Sequence, residues 1–198
     1  MNRSHDSARD TDVLAALRTA TASRHERLDS GLPLSAAHPS LADYAAHLVM
    51  LRDWLAPLER WQAGFSDGPQ AEPTLPATAR LGLIQADLAE PGMPEPATLR
   101  PAVDWPLEAS AAYRWGVAYV IEGSQLGGAV LYARLSTPLA PHPLRYLCGE
   151  EGGPGPRWRA FMLALRERVT SPQEIAEACA GACAAFDAIL LSAPLKKH

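Results

Sequence analysis

Apolar residues recur along most of this chain at spacings of three and four, the helical period, and no stretch alternates with the period of two that marks a strand. Thr11 or Asp12 can cap a first helix that runs to about Asp29, where "SGLP" stops it. "HPSLADYAAHLVMLRDWLAPLERWQAGF" predicts a long second helix, capped near Ser40 and kinked at Pro57. "SDGPQAEP" reads as a loop, "TLPATARLGLIQADLAE" as a shorter helix and "PGMPEPATLRPAVDWP" as a Pro-rich connector. From Leu107 to about Leu135 a helical pattern carries Gly116, Gly123, Gly127 and Gly128. "STPLAPHPLRYLCGEEGGPGP" is irregular, and "RWRAFMLALRERV" and "SPQEIAEACAGACAAFDAILLS" close the chain as helices. The last of these has a cap at Ser171, Pro172 in its first turn and Glu174 at the capping-box position. The sum is an all-α, multi-helix bundle of roughly six or seven helices.

Composition narrows the class. A chain of 198 residues, 47% of them hydrophobic, suits a single core, here expected over 11–192 with an arm at 1–10 and a tail at 193–198. The formal charge of -4 offers no field for nucleic acid or a membrane surface. Arg, Glu or Pro interrupts the longest apolar stretches, so no transmembrane helix is expected. "MNRSHDSARDTD" lacks the apolar core of a signal peptide, which points to a cytoplasmic chain. The three cysteines, Cys148, Cys179 and Cys183, are odd in number and sparse, as expected of reduced thiols; Cys179 and Cys183 read as small buried residues.

Two features bear chemistry. At about 100° per residue, Leu14, Leu17, Thr21, His25 and Leu28 share one arc of the first helix, so His25 points inward. Either it is a core histidine bonded to a carbonyl, or its neutral imidazole ligates a metal or haem iron. Arg18 lies two turns earlier on nearly the same face, and Arg24 flanks the histidine. On the glycine helix, Gly116, Val120, Gly123 and Gly127 form one stripe, with Glu122 and Gln125 pointing roughly the other way. Interior helical glycines each cost about 1 kcal/mol relative to Ala, so the stripe needs a reason. It is either a groove for another helix or a bare backbone surface for a large flat ligand. His5, His38, His47, His142 and His198 show no partner pattern and read as surface or core residues. Trp and Tyr residues read as core, with Trp158 and Tyr113 open between core and ligand stacking.

With these residues in place, the chain resembles the bacterial, biliverdin-forming haem oxygenase (heme oxygenase) family. "LRTATASRHERLD" (17–29) resembles its proximal-helix signature, "GSQLGG" (123–128) its distal glycine motif and "RWRAFMLAL" (157–165) the late helix facing the haem edge. The resemblance spans roughly residues 12–190. It implies a haem-oxygenase-like bundle with haem as both cofactor and substrate, cleaved with O₂ and electrons from an external donor to biliverdin, CO and ferrous iron. It implies His25 as iron ligand, Gly123, Gly127 and Gly128 along the distal face, and Arg18 with Arg157 or Arg159 as propionate partners. The implied partners are a reductase and, where biliverdin is a chromophore, a phytochrome; iron acquisition is the other use. Ser124 departs from the acid common after the first distal glycine, leaving a hydroxyl to relay protons through water. The competing readings are a non-catalytic haem or biliverdin carrier, a thiaminase-like or di-iron bundle, and a structural helical protein. The chain has no Glu-x-x-His pair for the di-iron case and no base beside a cysteine for the thiaminase case.

Overall fold

The computed structural model describes residues 12–94 and 103–193. Among them are seven α-helices and no strand. They are α1 (Val13–Gly31), α2 (Leu41–Gln62), α3 (Arg80–Leu88), α4 (Ala111–Leu135), α5 (Arg145–Cys148), α6 (Gly155–Arg168) and α7 (Pro172–Ser192). The expected arm at 1–10, the tail after Ala193 and part of the Pro-rich connector lie outside the described residues.

Local chemistry sets the helix starts. The Asp12 carboxylate accepts from the Leu14 amide at 3.4 Å. Ser40 with Asp43, and Ser171 with Glu174, form reciprocal capping boxes, each satisfying two otherwise orphaned amides. The glycine helix begins at Ala111 and not Leu107, because Ser110 caps it by accepting from Tyr113 N at 3.1 Å. α2 runs through Pro57 as one helix. The segment read as irregular holds one helical turn, α5, entered through Leu144 in the left-handed region at φ 50°.

α7 is the spine. By length and composition it could cross a membrane, but here it packs on α4 and α1 and buries Ala178, Ala182, Ala185 and Phe186. A Cβ on Gly116 would lie 1.8 Å from the Ala178 carbonyl oxygen, and one on Gly181 2.0 Å from that of Tyr113. Gly116 therefore serves helix packing, and the stripe expected to face one partner splits between two. Cys183, half-buried, donates to Ala20 O of α1 at 3.4 Å. Cys179 is also half-buried and Cys148 is exposed, so the thiols lie nearer the surface than expected.

Asp87 of α3, fully buried, accepts from Tyr44 Oη at 2.6 Å, Tyr146 N at 2.9 Å and Arg145 N at 3.0 Å. One carboxylate thus ties α2, α3 and α5 together and fixes Tyr146. Glu122 of α4 is held by Arg80 at 2.8 Å and by two bonds from Arg157 at 2.8 and 2.9 Å. Burial raises its pKa, but the Arg157 hydrogen bonds and the charges of both arginines outweigh that and leave it lowered.

Candidate functional site

α1 and α4 both lean on α7, and a cleft of about 410 Å³ opens between them. That size suits a small-molecule site. α2 and α7 supply apolar walls through Met50, Leu51, Trp54, Phe186 and Ile189. A wider, open mouth of about 700 Å³ adjoins it, lined by Arg18, His25, Asp29 and Tyr119.

The inward arc of α1 changes role along its length. Val13, Leu14, Leu17 and Thr21 are buried in the bundle, whereas Leu28 is half-buried. His25 is not a core residue: its side chain is 62% exposed and faces the cleft. The Phe186 ring meets it edge-on at 5.8 Å. His25 Nδ1 donates to the Asp29 carboxylate at 2.9 Å, one helical turn on. That bond fixes the ring and the tautomer, leaving the Nε2 lone pair free for a ligand. Asp29 was not singled out in the sequence, although the i, i+4 spacing of a carboxylate after a histidine was there to read.

α4 forms the facing wall. Gly123, Ser124, Gly127 and Gly128 all line the cleft. A Cβ on Gly127 would meet nothing within 4 Å, one on Gly123 only the Trp158 ring at 3.7 Å, and one on Gly128 only Leu147 at 3.9 Å. No helix fills this half of the stripe, in contrast to Gly116. The Ser124 hydroxyl donates to Ile121 O at 2.7 Å and accepts from Gln125 Nε2 at 3.2 Å. Its hydroxyl is thus bonded within α4. Gln125 also donates to Tyr146 Oη at 3.0 Å.

The cations separate. Arg18 is exposed at the mouth beside Tyr119, whose pKa is raised by burial and drawn back partly by that guanidinium. Arg157 does not reach the cleft: it is spent on Glu122 and on Pro76 O at 2.7 Å. Arg159 is exposed and lines neither the cleft nor its mouth. Neither arginine expected to contribute from α6 lines the cleft; from that helix Trp158 does, stacking on Phe161 at 5.6 Å and 14°. Of the two aromatics left open, Tyr113 instead packs against Trp61 outside the cleft.

Among the described residues no group of three or more His, Cys, Asp or Glu side chains could hold a metal ion. The donor set instead suits a group bringing its own equatorial ligands: one free imidazole nitrogen, apolar walls, an open glycine face and a cation at the mouth.

No protein-family model matches the chain. A heme oxygenase of Xanthomonas campestris pv. campestris (strain 8004) is 37% identical over 139 residues, 69% of this chain and 73% of that protein. Heme oxygenase PigA of Pseudomonas aeruginosa is 29% identical over 168 residues, 82% of each chain. The NO- and CO-bound heme oxygenase of Neisseria meningitidis shares the fold, with a TM-score of 0.69 and 23% identity, covering 92% of this chain and 90% of that one. The first of these relatives, matched over most of its length, places the chain in the heme oxygenase family, as an enzyme that degrades haem.

Proposed function

We propose that haem lies in the cleft between α1 and α4, with its iron on His25 Nε2 and one face against the glycines of α4. When bound, haem supplies the iron and O₂ chemistry that opens its own ring to biliverdin, CO and ferrous iron, with electrons from an external donor. The chain's residues bind, orient and control water. Asp29, bonded to Nδ1, would hold the His25 ring turned with Nε2 available to the iron. A neutral imidazole donates less electron density than a thiolate, which disfavours premature O–O cleavage. Arg18 stands at the mouth, where propionates would emerge, and the Tyr119 hydroxyl beside it offers a further hydrogen bond. The apolar walls exclude bulk water, which strengthens polar interactions inside. Gly123 and Gly127 would let a macrocycle approach the α4 backbone.

The observation that carries this reading is the pairing of a histidine with a free Nε2 and a glycine wall with open space before it, in one cleft. His25→Ala tests it. The variant should fold normally, since its side chain is largely exposed. It should bind haem weakly through apolar contact, with a displaced Soret band and no biliverdin formation. A wild-type Soret position with full turnover would assign the ligand elsewhere.

A further inference from the structure

One polar group in the cleft has no partner. His47, on α2, is only 6% exposed, lines the same cleft as His25 and the α4 glycines, and its Nδ1 has no hydrogen bond. Other polar groups that line the cleft have partners of their own. Thr21 and Trp54 donate to the carbonyls of Leu17 and Ala185, Ser124 to Ile121 O, and the Tyr146 hydroxyl accepts from Gln125. The other buried polar side-chain atoms without partners among the described residues, on Thr78, Trp105 and Arg114, lie outside the cleft. Leaving a buried imidazole nitrogen unpaired is costly, and a core position of this kind would be cheaper as Leu, Met or Phe.

We propose that His47 is a positioning residue for the haem reaction, holding an ordered water on the α2 wall beside bound haem, in the part that the backbone-tied Ser124 does not fill. The inference rests on haem occupying the cleft. Burial pushes the His47 pKa down to about 4, so near neutral pH the ring carries one N–H and one lone pair. It can donate to and accept from water without adding a charge. The titratable groups facing the same space are His25 and Asp29 from α1, Tyr119 from α4 and Tyr146 from α5; the α7 wall is apolar, and Arg18 stands at the mouth.

The test compares wild type, His47→Phe and His47→Gln by apo melting, haem titration and the pH dependence of the ferric haem spectrum, which reports hydrogen bonding to iron-bound water. Biliverdin formation is followed in parallel. His47→Phe should melt no earlier than wild type and bind haem with a Kd within about threefold, because only an unpaired polar group is lost. It should shift the spectral midpoint by at least about half a pH unit and slow biliverdin formation about tenfold, the effect of one lost hydrogen bond. His47→Gln, which keeps a donor and an acceptor, should recover most of both. Should His47→Phe fail to fold, His47→Met takes its place, filling similar volume without an N–H. A midpoint and rate unchanged in the apolar variant overturn the proposal. So does a loss of melting temperature with haem spectra unaltered, which marks a packing residue. If wild type itself develops no Soret band, the placement of haem fails as well, a result distinct from either.

Discussion

At the scale of single residues, the pair His25–Asp29 separates stability from the proposed role in binding. Both side chains are more than half exposed, so the contact adds little to folding. In the proposed function its effect is on the ligand. Removing a carboxylate that orients a ligating histidine typically costs about 10–100-fold in affinity or activity. Asp29→Ala should therefore weaken haem binding or slow turnover on that scale while apo melting stays close to wild type. Equal haem affinity and rate would show that the ring needs no second partner. Arg18→Glu should weaken haem binding modestly, since an exposed pair is worth about 0–1 kcal/mol; a dissociation constant that does not move would place the propionates elsewhere. His25 stands out in the sequence because a histidine on an apolar helical face is conspicuous. The Arg157–Glu122 bond could not be read there because the two lie 35 positions apart, and only tertiary packing joins them. His47 was passed over because, in sequence, it looks like any histidine on a buried helix face.

At the scale of the helix, the glycines of α4 meet two different surroundings. The packing-groove explanation of the stripe holds at Gly116, which meets α7, whereas Gly123 and Gly127 line an open cleft, where a ligand face is our proposal. Periodicity shows that residues share a face but not what lies opposite, so the division between Gly116 and Gly127 could not be read from spacing. The structure turns the division into a prediction. Gly116→Ala and Gly181→Ala drive a methyl group into backbone at 1.8 and 2.0 Å. Backbone cannot swing aside as a flexible side chain would, so α4 and α7 must separate, costing on the order of 1–3 kcal/mol or more. Gly127→Ala meets nothing and removes unfolded-state freedom, so it should stabilise the apo protein by up to about 1 kcal/mol. Apo melting of the three variants checks the ordering. A Gly116→Ala protein as stable as Gly127→Ala would mean that the α4–α7 contact is looser than described. The remaining helices were legible with small shifts at their ends, because Asp12, Ser40 and Ser171 are strong local signals. α5 was not, since its one turn depends on Asp87 binding the amides of Arg145 and Tyr146.

At the scale of the molecule, the bundle keeps a polar histidine and a charged triad in its interior, and both leave a mark on acid stability. His47 holds off its proton in the fold to about 4, whereas an unfolded histidine takes one near 6.5. Between those values the unfolded chain binds more protons, so stability falls as pH drops from about 6.5 to about 4. His47→Gln should flatten the fall in melting temperature over that window; an identical slope would show that the imidazole is not desolvated. Glu122, with its pKa lowered, adds stability that is full above the ordinary glutamate value and is lost as pH falls through its folded value. The larger consequence of the architecture is the cleft, because α7 holds α1 and α4 together at one end and lets them part at the other. The claim that haem fills that gap is tested most directly by a haem titration of Gly127→Leu, followed at the Soret band. The apo variant should fold as wild type does, since apart from the backbone of α4 itself and the adjoining residues nothing lies within 4 Å of the added Cβ. The bulky side chain should then occupy the space meant for the macrocycle, and haem binding should be lost or its band displaced. A Gly127→Leu protein that binds haem with the wild-type spectrum and affinity would contradict the placement of haem against α4.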